Sequence, residues 1–425
     1  MELMPGYKHS DVGVIPDNWD AKPLGEIGDS LIGLTYRPTE VREYGTLVLR
    51  SSNVQNGTLC FEDNVYVETD IPERIMVRPG DILVCVRNGS RDLIGKSAFI
   101  DERAIGMTFG AFMGVFRSEH GKLLHYVFQS GIIKKQINEH LGATINQITN
   151  KSLNSFKVPL PPTEEERTEI ASALGDVDAF LLALGQVIAK KRDLKQATMQ
   201  QLLNRQIRLP GFNNEWELKG LGHAGMCLRG VGYRGDADLS PHDTGFTKRL
   251  LRSNNVHNAV VVTNDVQFVN IRRVSQAQVL KKNDIVICMA NGSKALVGKA
   301  GLFLIDDGFD YTFGAFMGCF RTDATIADPH FIFSLFQTGQ YRDYINNLLA
   351  GSSINNLSPS SIESLEFLFP SYPEQVAIGQ VLADMDAELA LLEGHRDKYR
   401  NLKQAMMQEL LTGKTRLIFK GKSHV

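Results

Sequence analysis

The seven residues Thr108-Phe109-Gly110-Ala111-Phe112-Met113-Gly114 occur twice in this chain, the second time unchanged as residues 312–318. Other segments recur in the same order and at about the same distance of 200 residues. These pairs are residues 49–54 with 251–256, 88–96 with 291–299, and 194–197 with 402–405. A solenoid repeat has only a few tens of residues, so this longer period indicates one duplicated module of a domain and a helix. We therefore expect the two halves to perform the same task on two similar targets.

The composition is that of an ordinary globular protein. The chain has 425 residues, enough for two to four domains, with 43% hydrophobic and 22% charged residues. Its formal net charge is -2, so any nucleic-acid site must be a local basic patch rather than a global field. The five cysteines lack CxxC spacing, which suits a reducing cytosol. Cys85 and Cys288 lie at equivalent positions in apolar runs, where we expect small buried side chains.

The sequence has no recognisable targeting or membrane signal. Residues 1–6 lack the basic and apolar regions of a signal peptide. No stretch approaches 18 consecutive apolar residues, so the sequence predicts no membrane span. Together these patterns predict a cytoplasmic protein.

Each half begins with a tryptophan, Trp19 or Trp216, and continues with β-rich runs broken by glycine. Residues 81–86 and 284–289 are short apolar runs bounded by turn residues, which predicts buried strands. Apolar residues at helical spacing follow in residues 122–141 and 329–349. The pattern predicts an α+β fold class with two similar globular domains.

A long amphipathic helix is predicted to close each half. Thr163 can cap the first helix and Glu164 suits its positive N-terminal end, and the helix can extend to about Leu203. Its copy begins after Pro370 and can end at Gly413. Apolar residues recur along both helices with the alternating spacing of three and four that is typical of a coiled coil. The predicted seam consists of Ile170, Leu174, Val177, Leu181, Leu184, Ile378, Leu382, Met385 and Leu389.

Catalytic motifs are missing from the sequence. Residues 89–97 look like a phosphate-binding P-loop, but Gly89 comes one residue too early and a strand rather than a helix is predicted to follow. The repeat also has Ala300 where a magnesium-binding hydroxyl would stand. There is no HExxH, no G-x-S-x-G and no [DNS]-P-P-[YF] tetrapeptide. The sequence therefore predicts no catalytic activity in this chain and no metal site.

Two polar clusters recur in both halves and predict a DNA contact. Arg and Asn can pair bidentately with guanine and adenine edges, and Ser and exposed turns suit phosphates. The alternative is that Asn-Gly-Ser is only a hairpin turn with solvated charges, but such a turn does not need the same residue types twice. The candidates are Arg50, Ser51, Asn53, Arg87, Asn88, Ser90, Arg91 and Lys96, with Arg252, Ser253, Asn255, Asn291, Ser293, Lys294 and Lys299. For residues 108–114 and 312–318 we favour core packing, with Thr108 and Thr312 as candidate contacts.

We expect the two long helices to pack on each other, because neither could stay folded with its apolar stripe exposed. Antiparallel packing would give a rod with one domain at each end and an approximate two-fold axis. Two DNA readers related in this way should recognise inverted half-sites, with the helices fixing the spacer between them. The predicted segments are residues 1–160, the first globular domain; 161–208, the first long helix; 209–369, the second globular domain; and 370–425, the second long helix with a C-terminal tail.

This layout resembles the DNA-specificity subunit of type I restriction–modification systems. The likeness rests on Trp19 and Trp216 at the start of each half and on the order of several segments across essentially the whole chain. These segments are Val158-Pro159-Leu160-Pro161-Pro162, Glu164-Glu165-Glu166-Arg167, Pro373-Glu374-Gln375, Gln200-Gln201-Leu202-Leu203 and Glu409-Leu410-Leu411-Thr412-Gly413-Lys414. One departure is that the two recognition regions share long matches, which indicates two related half-sites. The second is that Asn204-Arg205-Gln206 stands where the other helix has Thr412-Gly413-Lys414.

The resemblance implies that each globular part is a target-recognition domain and that the helices form an antiparallel coiled coil. It also implies double-stranded DNA as a ligand, two methyltransferase subunits docked on the chain, and restriction and translocase subunits that complete the enzyme. S-adenosylmethionine, ATP and Mg would then be used by those partners and not by this chain. The expected function is a non-catalytic subunit that directs its partners to a bipartite DNA target.

Two other functions remain open from the sequence. The first is the specificity subunit of a system that only methylates DNA, without a nuclease partner. The second is a coiled-coil scaffold that binds protein and never touches DNA. The repeated Arg, Asn, Ser and Lys clusters argue against a scaffold, and steep salt dependence of DNA binding would separate the two classes.

Overall fold

The computed structural model describes residues 5–141, 146–350 and 355–417. Residues 1–4, on which the expectation about a signal peptide partly depends, and residues 418–425 of the predicted tail lie outside this part. The chain forms two compact units. The first contains residues 1–185 and 394–425, and the second contains residues 186–393.

The first unit combines short strands with three short helices. Its strands are β1 (Tyr7–Ser10), β2 (Gly13–Pro16), β3 (Asp20–Pro23), β4 (Asp29–Ile32), β5 (Val41–Arg42), β6 (Thr46–Leu49), β7 (Val54–Gln55), β8 (Thr58–Leu59), β9 (Tyr66–Val67), β10 (Ile82–Cys85), β11 (Ser97–Phe99), β12 (Thr108–Phe109), β13 (Met113–Arg117) and β14 (Lys157–Leu160). Its helices are α1 (Gly121–Gln129), α2 (Gly131–His140), α3 (Asn150–Ser155) and, up to residue 185, α4 (Glu164–Leu203). One four-stranded sheet has the order β11-β10-β13-β4 and another has the order β12-β6-β9-β5, in which β12 and β6 are parallel.

The second unit repeats this plan. Its strands are β15 (Glu217–Gly220), β16 (Gly225–Arg229), β17 (Leu239–Ser240), β18 (Thr247–Leu251), β19 (Val256–His257), β20 (Val260–Val261), β21 (Gln267–Asn270), β22 (Ile285–Cys288), β23 (Ala300–Leu302), β24 (Tyr311–Phe313), β25 (Met317–Thr322) and β26 (Glu366–Phe369). Its helices are α5 (Gly235–Asp238), α6 (Pro329–Leu335), α7 (Gly339–Ala350), α8 (Pro359–Glu363) and, up to residue 393, α9 (Tyr372–Leu410). Residues 186–203 of α4 also belong to this unit, and residues 394–410 of α9 belong to the first. The main sheets have the orders β16-β25-β22-β23-β20-β19 and β17-β21-β18-β24, so the predicted α+β class and its duplication are confirmed.

The central strand of each unit is buried on both faces, as its continuous apolar sequence predicts. In β10, Ile82 and Val84 join the core formed with α1 and α2, whereas Leu83 and Cys85 join the core shared with β6 and β12. Strand β22 divides in the same way between two cores. Cys85 and Cys288 are fully buried, as expected of small apolar side chains.

A buried ion pair fixes the start of each central strand. Asp81 is 2% exposed, and Arg117 at the end of β13 donates to both of its carboxylate oxygens, from Nε at 2.8 Å and Nη2 at 2.7 Å. Asp284 and Arg321 repeat this bidentate pair at 2.9 and 2.6 Å. The hydrogen bonds with the aspartates raise the pKa of both arginines. Bidentate ion pairs with two short hydrogen bonds are among the strongest polar contacts in proteins.

The helical segment predicted over residues 122–141 is in fact two helices. Ser130 ends α1 in an extended conformation, and its Oγ accepts a hydrogen bond from the backbone N–H of Ile132 to cap α2. Apolar spacing continued through this break, so periodicity alone could not reveal it. The predicted helix cap at Thr163 is confirmed, because its Oγ1 accepts from the N–H of Glu166 at 3.2 Å.

The long helices pair within each unit. In the first unit, Asp178 of α4 binds Lys403 of α9 at 2.6 Å, and the rings of Phe180 and Tyr399 lie 4.4 Å apart. As the residue number rises along α4 it falls along α9, so the two segments run antiparallel. In the second unit, the ion pairs are Lys191 with Glu388 at 2.7 Å and Lys195 with Asp386 at 2.5 Å.

The predicted seam residues have two kinds of environment. Leu184 and Leu389 are buried, whereas Val177, Leu181 and Met385 are only partly buried. Ile170 and Leu174 belong to the core of the first unit, and Ile378 and Leu382 to that of the second. The same cores contain residues at the end of the other long helix, Met407, Leu410 and Leu411 in the first unit and Met199, Leu202 and Leu203 in the second. The first turns of each helix also lie against the globular part of their unit, and the assignment of these four residues to the seam stays a prediction.

Helix α4 includes a window of 18 residues with a mean hydropathy of 1.4. By length and composition alone, the helix is long and apolar enough to cross a membrane. Polar residues interrupt this window, so it contains no long run of consecutive apolar residues. About a fifth of the window, 22%, is buried inside the protein. Asp178 pairs with Lys403 within this helix pair, and charged side chains are costly in a bilayer. A single helix of this kind is weak evidence for a membrane span.

His125 on α1 makes the stability of the first unit depend on pH. Its burial lowers its pKa from 6.5 to about 4, and Gln129 Nε2 lies 2.9 Å from its ring Nε2. Below pH 6.5, His125 binds a proton in the unfolded chain but stays neutral in the folded chain. The folded state therefore has its full free energy of unfolding above pH 6.5 and loses part of it as the pH falls towards 4. The loss should reach about 3 kcal/mol, at 1.36 kcal/mol per pKa unit.

Urea unfolding of the wild type and of His125→Gln between pH 7 and pH 4.5 measures this effect. We expect a weaker loss of stability on acidification in the variant, because its side chain does not titrate. His9→Gln, at an exposed position on β1, should behave like the wild type. Identical pH slopes for His125→Gln and wild type would contradict the prediction.

Candidate nucleic-acid interface

Three turns of the second unit line one open groove of about 1020 Å³. The first turn follows β18, the second follows β22, and the third connects β24 to β25. The groove is lined by Tyr233, Arg252, Ser253, Asn254, Ala290, Asn291, Gly292, Gly314, Ala315, Phe316, Met317 and Asn355. The two polar clusters that the sequence singled out therefore lie on the same groove, together with a turn that we expected in the core.

Hydrogen bonds hold these turns together. The backbone N–H groups of Met289 and Ala290 both donate to the carbonyl of Phe316, at 2.9 and 3.0 Å. The N–H of Gly314 donates to the carbonyl of Leu251 at 3.0 Å. Asn291 Nδ2 donates to Ser253 Oγ at 3.4 Å. The groove is thus built on backbone contacts between neighbouring strand ends, which makes it a preformed surface.

The first unit has the same arrangement. The N–H groups of Val86 and Arg87 donate to the carbonyl of Phe112, both at 3.1 Å, and the N–H of Gly110 donates to Leu49 at 3.0 Å. Asn88 Nδ2 lies 3.5 Å from Ser51 Oγ, and Lys96 Nζ lies 3.5 Å from the carbonyl of Ser51. We call these two sets the reading clusters, comprising residues 50–53, 87–90 and 110–112 in the first unit and residues 252–255, 290–293 and 314–316 in the second.

An arginine at the base of each reading cluster is held by an aspartate. Arg50 Nη2 lies 2.8 Å from Asp63 Oδ2, and Arg252 Nη2 lies 2.9 Å from Asp265 Oδ2. Both aspartates are exposed, and the arginine side chains are one-third exposed. An ion pair in contact with solvent is worth little, so each guanidinium is positioned but can exchange its partner for another acceptor.

Two of the predicted contacts are corrected by the structure. Asn53 and Asn255 are fully buried. The Oδ1 of Asn53 accepts from the N–H of Arg50 at 2.9 Å, and its Nδ2 donates to the carbonyl of Cys60 at 3.0 Å. Asn255 makes the equivalent bonds. These amides stabilise the turn that presents the arginine, so the prediction that either residue contacts a base or a phosphate was wrong.

Of the other candidates, some bind neighbouring backbone and stabilise the fold, and the rest lie at the surface. Arg91 donates to the carbonyl of Leu141 at 2.7 Å and Lys294 lies 3.5 Å from the carbonyl of Leu349, so both bind the ends of helices. Ser90 and Ser293 are exposed, and their N–H groups donate to Asn88 Oδ1 and Asn291 Oδ1 at 3.0 Å. The remaining candidates that are at least partly exposed at the surface are Arg50, Ser51, Arg87, Asn88, Lys96, Arg252, Ser253, Asn291 and Lys299.

Two phenylalanines were missed as surface residues. Phe112 is 59% exposed and Phe316 is 72% exposed, although their repeat was expected to pack in the core. Thr108 is fully buried, and its Oγ1 donates to the carbonyl of Ile75 at 2.8 Å, so neither it nor the equally buried Thr312 is a contact residue. A large apolar side chain that is exposed at the tip of a hydrogen-bonded turn adds little to the core and is typical of a binding surface.

A tyrosine–arginine pair was missed as well. Tyr36-Arg37 and Tyr233-Arg234 are a further repeat, and Tyr233 lines the groove of the second unit. The bridges Leu34 with Gly110 and Val231 with Gly314 place both pairs next to the phenylalanine turn. The signal was present in the sequence, since both pairs come two residues after an apolar residue at equivalent positions.

The side chains of the reading clusters are suited to binding a ligand. Burial raises the pKa of the Cys85 and Cys288 thiols, which keeps these sulfurs protonated and unreactive. Among the described residues, no group of three or more His, Cys, Asp or Glu side chains could hold a metal ion. Exposed Arg, Asn and Ser side chains with an aromatic ring can contact base edges, phosphates and thymine methyl groups.

The comparisons with known proteins agree on one family. The family model described as "Type I restriction modification DNA specificity domain" matches residues 16–196 and 247–398. The EcoKI specificity subunit of Escherichia coli strain K12 is 24% identical over 424 residues, covering 94% of this chain and 90% of its own length. The putative MjaX specificity subunit of Methanocaldococcus jannaschii is 23% identical, covering 97% of both chains.

Solved structures share the fold. The S subunit of a type I restriction–modification system from M. genitalium superposes with a TM-score of 0.60 at 15% identity, over 96% of this chain and 99% of its own. A chain from a structure of type I restriction–modification complex assembly gives a TM-score of 0.52 at 17% identity, over 94% and 99%.

Proposed function

Since the chain belongs to the type I restriction–modification DNA specificity family, we propose that its two units recognise the two halves of one bipartite DNA target. The observation that carries this proposal is the repetition of one reading cluster in both units, with matching residue types and matching backbone contacts. Similar clusters should recognise related half-sites. We propose that these half-sites are inverted, as the sequence led us to expect.

The subunit is proposed to bind DNA and to leave the chemistry to its partners. It would direct two methyltransferase subunits, and restriction and translocase subunits, to the target in the cytoplasm. S-adenosylmethionine, ATP and Mg would be bound by those partners. The sequence supports this, because it has no motif for methyl transfer, nucleotide hydrolysis or metal binding.

We propose that α4 and α9 pair as an antiparallel coiled coil. The support is local to each unit. Asp178 with Lys403 in the first unit and Lys191 with Glu388 in the second join the helices with opposite chain directions. Leu184 and Leu389 add the buried apolar side chains that such a seam needs.

Recognition by the second unit is proposed to begin with an exchange of partners at Arg252. In the free chain its guanidinium binds Asp265, which is exposed and easily replaced by a DNA acceptor. A planar guanidinium can then bind the O6 and N7 atoms of guanine, a contact worth about 1–3 kcal/mol. Ser253 and Asn291, which already contact each other, lie beside it to bind a phosphate or a second base.

Arg252→Ala tests this function in the assembled enzyme. We expect affinity for the target duplex to fall roughly 5- to 150-fold, the range of one lost bidentate base contact. Affinity for random duplex should change little, because base contacts do not contribute to it. Binding is measured at several salt concentrations, on target and random duplexes.

Asp265→Asn is the matched control, since it removes the ion pair and keeps the arginine. This variant should bind the target at least as well as the wild type. The same pair of substitutions at Arg50 and Asp63 tests the first unit. Unchanged target affinity and an unchanged methylated sequence in both Arg50→Ala and Arg252→Ala would contradict the proposal.

A further inference from the structure

The reading clusters differ in residue type at two positions, Ser52 against Asn254 and Arg87 against Ala290, and the second difference removes a charged side chain. Arg87 in the first unit corresponds to Ala290 in the second. Both donate a backbone hydrogen bond to the phenylalanine of the neighbouring turn, at 3.1 and 3.0 Å. Both also form an isolated antiparallel bridge, Arg87 with Gln147 and Ala290 with Asn356. The backbone at this position is therefore the same in both units, and only the side chain changes.

Most of the surrounding side chains are identical. The shared pairs are Tyr36 with Tyr233, Arg50 with Arg252, Ser51 with Ser253, Asn88 with Asn291, Ser90 with Ser293, and Phe112 with Phe316. A change from arginine to alanine among side chains that the two units share can give the two half-sites different sequence preferences.

The side chain of Arg87 is placed to contact a ligand. It is exposed, and its guanidinium carbon lies 5.2 Å from the centre of the Phe112 ring. Stacking on the ring limits its freedom, as in other cation–π pairs. Within the part of the chain that the structure describes, it forms no ion pair, whereas Arg50 is bound to Asp63. Its side chain makes no hydrogen bond to any described residue either, so its donors can bind an acceptor of the ligand.

Resting on the function proposed above, we propose that Arg87 specifies a guanine in the half-site of the first unit. Ala290 has no donor at the same place, so the equivalent base pair in the other half-site carries no requirement for guanine. The two half-sites are thus related sequences that differ at this position. Guanine is the base that a planar guanidinium binds through two hydrogen bonds in the major groove.

Methylome sequencing of hosts that express the assembled enzyme tests this with reciprocal substitutions. Arg87→Ala should remove the guanine requirement at one position of one half-site, so that sites with other bases gain methylation roughly 5- to 150-fold relative to the wild type. Ala290→Arg should add a guanine requirement at the equivalent position of the other half-site. The double variant should exchange the two preferences.

Arg103→Ala is the matched control. Arg103 also lies over a phenylalanine, Phe61, at 5.6 Å, but it lies outside the reading cluster. We expect its methylated sequence to be that of the wild type. Thermal unfolding of each purified variant confirms that the fold is kept.

The outcomes separate two failures. If deletion of the chain leaves the methylome unchanged, the function proposed above is wrong and this inference falls with it. If deletion abolishes the motif but Arg87→Ala and Ala290→Arg both leave each half-site unchanged, only the assignment of Arg87 is overturned. A change at several positions or in the wrong half-site would also overturn it.

Discussion

Replacing Arg321 by Ala is expected to cost the second unit about 3–5 kcal/mol of unfolding free energy. The carboxylate of Asp284 is 3% exposed and would lose the two hydrogen bonds from Arg321 that now compensate for its burial. Removing one partner of a buried pair is costly because it leaves an uncompensated charge. Arg321 also donates to the carbonyl of Val279 at 2.8 Å, a bond that alanine cannot make.

Hydrogen–deuterium exchange of the full-length chain measures this cost locally, with β22 and β25 as the reporters. Their exchange should accelerate strongly in Arg321→Ala, and the largest change should lie in the second unit. The double variant Asp284→Asn, Arg321→Met removes both charges and should recover part of the loss. Protection unchanged in Arg321→Ala would show that the pair does not stabilise the unit.

Leu174→Ala and Leu382→Ala are expected to cost about 2–5 kcal/mol each. Leu174 is fully buried in the core of the first unit, and Leu382 is 3% exposed in that of the second. Either truncation leaves a cavity where a long helix joins the globular part. Leu182→Ala, on the same helix but 68% exposed, should stay within about 0.5 kcal/mol of wild type.

Urea unfolding with two probes, far-UV circular dichroism and tryptophan fluorescence, measures these losses. The first-unit variant should destabilise the transition reported by Trp19, which is buried in that core. The second-unit variant should affect the one reported by Trp216. Equal stability of Leu174→Ala and Leu182→Ala would contradict the assignment of Leu174 to a core.

Strands and long helices were predictable because each has a regular apolar pattern. The runs at residues 81–86 and 284–289 became β10 and β22, and α4 ends at Leu203, where the sequence placed its end. The end itself is unusual. Arg205 adopts a positive φ of 60°, where Gly413 stands after the other helix with φ 69°. An arginine in this region was not predictable from residue type.

Pairing between distant strands could not be predicted. Strand β12 pairs with β6 in parallel, although about sixty residues separate them along the chain. This pairing brings the turn at Phe112 beside the turn after Leu49, and so creates the reading cluster. Apolar periodicity carries information about burial but none about which strands meet.

The candidate site was predicted in outline and corrected in detail. Arginine and serine turns were found because they recur in both halves. Asn53 was misassigned because an asparagine that braces a turn and one that binds adenine look alike in sequence, and only its burial separates them. Phe112 was misassigned for the opposite reason, since an aromatic residue between small ones is typical of a core.

Photocrosslinking most directly tests whether the reading clusters contact DNA. The assembled enzyme is irradiated on its own target duplex with 5-iodouracil replacing thymine in each half-site, and the crosslinked peptides are identified by mass spectrometry. Crosslinks should fall on the exposed phenylalanines of the two clusters, Phe112 and Phe316, and on the partly buried Tyr36 and Tyr233 next to them. Crosslinks confined to α4 and α9, with none in either reading cluster, would contradict the account.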